Sequence, residues 1–441
     1  METWAIVMLL VAVALLLVGY PVAFTLGAVA LLFGSIFLGL GFFDLLPLRI
    51  WGIMTNFTLL AVPLFIFMGV VLEKSGIAER LLLTMGELFG KVRGGLGVSV
   101  VIVGALLAAT TGVVGATVVT MAVIALPIML RQGYRPELAS GAIAASGTLG
   151  QIIPPSIILV LLGDVVGVPV GRLFMAAVVP GLILIFLFIV YILYIAKRHP
   201  HYAPAIKVVD IEGATSESLW IRVLKSLLPA LLLILAVLGS IFLGIASPTE
   251  SAAFGALGAI ILALFAKGMD VNKLQQAMQS TTRMTSMVFL ILIGATAFGL
   301  VFRGMGGDDL VHDAMTNLPG GVWGFLAASM LLVFILGFFL DFIEITFIVV
   351  PILAPVAQFM GIDLLWFTVL IAMNLQTSFL TPPFGFSLFY LKAAAPPEIK
   401  MTQIYRGIIP FVGIQLIALT IIIFFPDVIL WLPDLMDRTS D

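Results

Sequence analysis

Two adjacent prolines, Pro154 and Pro155, interrupt a run that is otherwise apolar from about Ile143 to Leu162, and a second pair, Pro382 and Pro383, does the same 228 residues further on. A proline inside a helix removes a backbone donor and clashes with the preceding turn, at a cost of roughly 3 kcal/mol. In hydrocarbon no water is at hand to rescue the freed carbonyls, so such a break demands an internal partner. The surroundings are of that kind: 62% of residues are hydrophobic and 10% are charged, and the mean hydropathy is +1.25. Several apolar stretches exceed the roughly 18 residues that suggest a spanning helix. The chain therefore reads as an all-α polytopic membrane protein, one embedded body rather than two soluble domains.

Apolar spans are expected near 4–18, 22–42, 53–73, 137–163, 173–196, 226–246, 250–266, 284–302, 364–391 and 407–431. The opening stretch METWAIVMLLVAVALLLVGYP has neither a basic leading region nor a small-residue cleavage site, so it is expected to be the first span and not a signal peptide. Two segments, 96–130 and 321–358, are too long for one span and are interrupted by small or polar residues, the pattern of re-entrant hairpins built from two half-helices.

The offset of 228 pairs more than the prolines. It aligns Pro127 with Pro355, Gly133 with Gly361, Gly76 with Gly304 and Ser146 with Asn374, without a gap from 127 to 155. The sequence is thus read as an internal duplication, with residues 1–196 and 226–441 as repeats. The polar stretch 197–225, which carries Asp210, Glu212 and Ser216 among basic residues, is their linker.

Charge then sets orientation. The first-half loops carry Lys74, Arg80, Lys91, Arg93, Arg131 and Arg135, whereas their counterparts carry Arg303 with Asp308, Asp309, Asp313 and Asp363. Equivalent loops therefore lie on opposite faces, the first hairpin entering from the cytoplasm and the second from outside. On this reading Arg49, Arg172, Arg303 and Arg438 are the basic residues left outside, and both termini face outwards.

Inverted-topology repeats with broken helices are the architecture of secondary transporters, whose substrate and ion sites sit near the midplane. Breaks at Pro154-Pro155 and Pro382-Pro383 leave backbone groups free to replace the hydration shell of a small cation. Ser146, Gly147, Thr148 and Gln151 precede the first break, and Asn374, Thr377, Ser378 and Thr381 precede the second. The competing reading is that the prolines only kink packed helices. In AATTGVVGATVVT (108–120), Gly112 and Gly115 allow a tight reversal while Thr110, Thr111 and Thr117 supply hydroxyls, a tip suited to an ion or a carboxylate; small-residue helix packing is the alternative. In GFFLDFIEIT (337–346), Asp341 and Glu344 fall three residues apart on one expected helical face. Carboxylates inside a membrane are costly and are functional candidates by default. Such oxygens suit Na⁺, a protonatable carboxylate suits H⁺, and the residues leave both open.

Other chemistries find no support. His199, His201 and His312 fall in expected loops without ligand spacing, and no phosphate loop is present to use ATP. The absence of cysteine excludes disulfides and thiolate metal sites, and a net charge of −2 argues against nucleic acid or any other polyanion as partner.

The runs GATVVTMAVIALPIMLRQGY, SGTLGQIIPPS, FFLDFIEITFIVVPILAPVAQFMGID and NLQTSFLTPPFGFSLFY resemble the large membrane subunit of tripartite ATP-independent periplasmic (TRAP) transporters over nearly the whole chain. The resemblance implies an elevator-type carrier in a bacterial inner membrane, in which a transport domain with both hairpins and both broken helices moves against a scaffold. It further implies Na⁺ as coupling ion, no other cofactor, and no enzymatic activity. A small four-span membrane subunit and a soluble periplasmic protein that delivers an organic acid are the implied partners. Carried over by position, Thr111, Ser146 and Asp341 would be functional. Asn374 and Thr381, for their oxygens just before the second break, are further Na⁺ candidates. Many relatives have a hydroxyl where this chain has Val113, and small residues are common at the position of Glu344. A stand-alone ion-coupled carrier needing no binding protein is the alternative; a channel or embedded enzyme fits less well, since two occluding hairpins oppose a continuous pore.

Overall fold

The structure, a computed structural model, describes residues 1–205, 219–266 and 268–440. Asp210, Glu212 and Ser216 of the expected linker lie outside the described residues, whose regular elements are all helices with no strand. The first half runs α1 (Glu2–Val18), α2 (Val22–Phe37), α3 (Leu46–Met54), α4 (Ala61–Lys74), α5 (Ile77–Phe89), α6 (Gly95–Thr111), α7 (Val114–Arg131), α8 (Pro136–Thr148), α9 (Ile157–Val166) and α10 (Val170–Arg198). The second runs α11 (Leu219–Phe242), α12 (Pro248–Phe265), α13 (Val271–Gly304), α14 (Gly307–Thr316), α15 (Val322–Leu336), α16 (Phe342–Ile348), α17 (Val350–Phe359), α18 (Leu364–Leu380), α19 (Phe386–Ala394) and α20 (Met401–Phe424), followed by α21 (Asp427–Ser440).

Shifted by 228, the first list falls on the second almost helix by helix. Helix α2 meets α12, α5 meets α14, α6 meets α15, α7 meets α16 and α17, α8 meets α18, α9 meets α19 and α10 meets α20. The bent pair formed by α3, α4 and their flanking turns, angled at 55°, meets the single 34-residue α13. Local chemistry repeats as well. Gly133 and Gly361 end α7 and α17 in the left-handed conformation at φ +83° and +73°, where glycine alone avoids a Cβ penalty. Both let the next amide reach back: Tyr134 N–H to the Met129 carbonyl and Ile362 N–H to the Ala357 carbonyl, each at 3.0 Å. The Pro154-Pro155 and Pro382-Pro383 peptide bonds are both cis.

Four expectations from sequence need correcting. The glycine equivalent to Gly76 is Gly306 and not Gly304, since each starts its helix with a left-handed residue, at φ 70° and 79°. His312 lies in α14 and not in a loop, with its ring 4.5 Å from that of Phe359. The last apolar span ends at Phe424, because the following turn at Pro426 begins a new helix. The span expected near 284–302 is the end of α13, which extends thirteen residues earlier to Val271 behind the N-cap Asp270.

Helices α8 and α18 are the interior rods, continuously buried from Leu138 to Thr148 and from Leu365 to Leu380. Helix α8 packs on α6, α7 and α20, and α18 on α15, α20 and α10. Small residues permit the close approach: Gly141 of α8 lies against the backbone carbonyl of Gly407 on α20, and Gly104 of α6 against Ser146. The outer halves of the broken helices cross over, α9 packing on α16 and α17 of the second hairpin and α19 on α7 of the first. The periphery exposes large apolar side chains such as Leu10, Phe24, Leu31, Leu232 and Phe254. An ion pair between Arg222 and Glu87 joins α11 to α5.

Among the described residues, six helices are individually long and apolar enough to cross a membrane. One of these, α7, is a hairpin limb, and the bent pair α16–α17, angled at 51°, is its counterpart. Packing at the α8–α20 contact gives a direct check. Gly141→Leu should lower the unfolding temperature in detergent, an overpacking cost of about 1–3 kcal/mol, while Gly239→Leu on α11, where an added Cβ meets nothing within 4 Å, should change it little.

Candidate functional site

Each hairpin turns at a different kind of tip. In the first, Gly112 adopts φ 59° after α6, and Val113, extended at φ −122°, is the N-cap of α7 with no side-chain cap. In the second, the chain leaves α15 through residues 337–340 and re-enters a helix at Asp341, an extended N-cap at φ −69°. Val113 and Asp341 are 228 residues apart, so they are the same position of the repeat.

Asp341 was expected within the helix, sharing a face with Glu344; it is instead the cap in front of it. The carboxylate accepts from Phe342 N–H at 2.7 Å, and the Glu344 carboxylate reaches back to accept from Asp341 N–H at 3.1 Å, a reciprocal capping box. The acid occupies the positive end of α16, where a negative charge is stabilised.

Both tips open on one cavity of about 390 Å³. Gly112 to Ala116 form one wall and Asp341 to Ile343 the wall related to it by the repeat. Ile157 of α9, Phe379 of α18 and Tyr390 of α19 come from the broken helices, and Ile66, Met284, Met287 and Val288 from α4 and α13. Asp341 is the one charged residue of this lining, which contains no Lys, Arg or His. Gly115 packs closely on its neighbour, since an added Cβ would come 3.2 Å from the Tyr390 ring.

The other sequence candidates lie outside this lining; most are buried, but Thr381, Pro382 and Glu344 are half-buried and Pro383 is exposed. Thr117 Oγ1 lies 2.7 Å from Thr111 Oγ1 and donates to the Val113 carbonyl at 3.1 Å. A hydroxyl has one proton, so Thr111 is the donor in the pair and the two limbs of the hairpin are stapled. Thr110 donates to the Leu107 carbonyl at 2.9 Å. Ser146 and Thr148 bond back into α8, at 3.1 Å to Ile143 and 2.9 Å to Ala145, and Gly147 faces Val118 of α7. Asn374 Nδ2 donates to the Met330 carbonyl at 2.6 Å, tying α18 to α15. Thr377, Ser378 and Thr381 bond to carbonyls within their own helix, and Ser378 packs on Gly337. Pro154, Pro155, Pro382 and Pro383 form the breaks but do not line the cavity, and neither does Glu344. The side chains of Gln151 and Gln376 are fully buried with neither amide atom hydrogen-bonded.

Sequence reasoning missed Val113 as a lining residue, together with Met284, Met287, Phe342, Phe379 and Tyr390. Apolar residues in apolar helices carry no local signal, although the three-residue spacing of Met284 and Met287 puts them on one face of α13. It also missed two bonds that tie the α3–α4 segment to neighbouring limbs: Asn56 Nδ2 to Asp164 Oδ1 of α9 at 2.6 Å, and Thr120 Oγ1 of α7 to Glu73 Oε1 at 3.2 Å.

Paired hairpins and broken helices around a midchain cavity define a helical membrane transport protein. Residues 9–428 match the family described as "Tripartite ATP-independent periplasmic transporter, DctM component", and the chain belongs to that family. It is 31% identical over 392 residues to the C4-dicarboxylate TRAP transporter large permease protein DctM of Pseudomonas aeruginosa, covering 88% of this chain and 89% of the relative. To the sialic acid TRAP transporter large permease protein SiaM of Vibrio cholerae it is 29% identical, covering 96% of each. The fold is also that of the Alcanivorax borkumensis YdaH transporter, whose crystal structure superposes with a TM-score of 0.66 at 14% identity over 95% of this chain and 99% of that one.

The threonine staple is open to a double substitution. Thr117→Val should destabilise by about 1–3 kcal/mol, because it leaves the buried Thr111 hydroxyl without its acceptor. The Thr111→Val, Thr117→Val double variant should recover part of that loss in thermal unfolding, since both partners of the bond are then apolar.

Proposed function

We propose that this chain is the Na⁺-driven large permease of a binding-protein-dependent importer of a small organic acid in a bacterial inner membrane. A small four-span membrane subunit and a periplasmic substrate-binding protein complete the transporter. The observation that carries the reading is the convergence of both hairpin tips and both broken helices on one cavity holding a single charged residue, Asp341. Secondary transporters bind substrate and ions where inverted repeats meet. The DctM and SiaM relatives, named for a C4-dicarboxylate and for sialic acid, both concern organic acids.

In this mechanism the hairpins and broken helices move as one transport body against a scaffold of outer helices. Na⁺ takes its ligands from Asp341 in the cavity lining and from Thr111, Ser146, Asn374, Thr381 and the backbone at the breaks around it. Gln151 and Gln376 favour such an assignment, because a fully buried amide without partners is costly unless something else satisfies it. The second half is inverted relative to the first, and both termini are periplasmic.

Two measurements test this. In proteoliposomes containing the complete transporter, uptake should require an inward Na⁺ gradient, and Asp341→Asn should raise the Na⁺ needed for half-maximal uptake at least about tenfold or abolish uptake, since a charged partner is worth about 1.5–3 kcal/mol. Its melting temperature without Na⁺ should change little, while the stabilisation that Na⁺ gives the folded state should be lost. Uptake by the variant with wild-type rate and Na⁺ dependence overturns the assignment. For topology, His201→Cys in this cysteine-free chain should react only with a permeant thiol reagent and Arg49→Cys also with an impermeant one; labelling of position 201 from outside overturns the inverted arrangement.

A further inference from the structure

Asp164 is an acid at the unfavourable end of its helix. It lies in the last turn of α9, where the unpaired carbonyls disfavour a negative charge, and Glu73 lies likewise in the last turn of α4. Both are half-buried, and among the described residues neither has an ion-pair partner. Carboxylates so placed in a membrane protein are kept at a cost to stability. Each instead accepts one side-chain hydrogen bond, Asp164 from Asn56 Nδ2 and Glu73 from Thr120 Oγ1, and both bonds cross one boundary. On one side stands the bent pair of α3 and α4, fixed to the outer helices: α4 packs on α12 and α13, and the Phe57 carbonyl at the bend accepts from Thr249 Oγ1 of α12 at 2.9 Å. On the other stand α7, a limb of the first hairpin, and α9, the outer half of the first broken helix. Asn56 serves both sides, since its Oδ1 accepts from Thr58 N–H at 2.9 Å and so holds the 55° bend while its amide holds α9. Between the two bonds, Gly69 lets α4 rest on the hairpin tip, because a Cβ there would strike the backbone of Thr111.

Neither bond is copied in the repeat. At the positions 228 residues on, Asn56, Glu73, Thr120 and Asp164 give way to Met284, Val301, Ile348 and Lys392, and α13 continues as one helix through the position of Asn56. The bonds are therefore an acquisition of the first half and not a demand of the shared frame. Resting on the permease reading above, we propose that Asn56–Asp164 and Glu73–Thr120 are a pair of latches that hold the hairpin-bearing body against α4 in one resting position, and that each transport cycle breaks and remakes them. Apolar faces slide past one another with little change in energy, whereas a hydrogen bond is lost once its atoms part by about an ångström. The latches thus turn a sliding boundary into one with a defined stop. Asp164 and Glu73 are positioning residues on this account, and neither lines the cavity.

The test bridges the boundary in this cysteine-free chain, within the complete transporter in proteoliposomes. Asn56→Cys with Asp164→Cys, once joined by a short bifunctional methanethiosulfonate, should lose uptake at least about tenfold and recover it on reduction, whereas each single variant, treated alike, should not. A tether inside one rigid body predicts the opposite, so full uptake by the bridged pair overturns the inference. A second measurement needs no uptake and stays decisive if the first pair is inactive. In Glu73→Cys with Thr120→Cys, adding Asp164→Ala removes the remaining latch. Bridging of the two thiols should then slow at least about threefold, because one hydrogen bond to a charged group biases a two-state equilibrium by that much or more. An unchanged bridging rate overturns the inference. Failure of the permease reading looks different. Uptake by the reduced Asn56→Cys, Asp164→Cys variant that ignores Na⁺ but stops on bridging removes the Na⁺ coupling and leaves the latches standing, while Na⁺-driven uptake that survives bridging removes only the latches.

Discussion

Every backbone polar group inside a bilayer must find a partner within the protein, and the architecture follows from that requirement. A chain that never broke its helices would satisfy it trivially and would have nothing with which to bind an ion or a polar solute. This chain breaks four times, at two hairpin tips and two proline pairs; the Pro154-Pro155 break is buried, while Pro383 and Phe384 at the second pair and Phe339 at the second tip stay exposed. Helices α8 and α18 are buried along their lengths, and the crossing of α9 onto the second hairpin and α19 onto the first puts each half's irregular backbone under the cover of the other. The backbone bonds at the breaks are local, such as Ile153 N–H to the Leu149 carbonyl and Gly385 N–H to the Thr381 carbonyl, so what each half gives the other is apolar cover.

The hydroxyls around the breaks are part of the same accounting. Ser146, Thr148, Thr377, Ser378 and Thr381 all bond to carbonyls of their own helices in this structure, which lets a polar side chain remain buried without a ligand. Gln151 and Gln376 have no such escape.

Much of this was legible in the sequence because duplication turns weak signals into strong ones. A proline in an apolar run is ambiguous, but Pro127 and Pro154 matched by Pro355 and Pro382 at one spacing are not, and the helix boundaries fall on the same offset. Composition made the membrane unmistakable. What stayed hidden depends on three-dimensional neighbours. Phe342, Phe379 and Tyr390 look like lipid-facing aromatics until α16, α18 and α19 are brought around one cavity. Asp341 looked like a residue on a helical face because the end of an apolar hairpin limb carries no periodicity to mark where the helix restarts. His312 was assigned to a loop because a short amphipathic helix between long apolar spans is polar enough to pass for one.

The same duplication shows where two equivalent hairpin tips have come to differ. Two repeats that meet at their hairpin tips present two helix N-termini to one cavity, both positive by virtue of their amides. Left alike, the walls would favour an anion from either side and distinguish nothing. Divergence at a single pair of equivalent positions, Val113 and Asp341, removes the degeneracy: one terminus stays bare, and the other is capped by an acid that is held in place by Glu344 through the Asp341 amide. The position of Glu344 corresponds to Ala116 in the first repeat, so the capping box is itself a one-sided acquisition, and a second carboxylate in a membrane needs such a role to offset its cost. The backbone of both repeats supplies the frame, and the departure from symmetry at these few side chains leaves one helix start bare and the other capped.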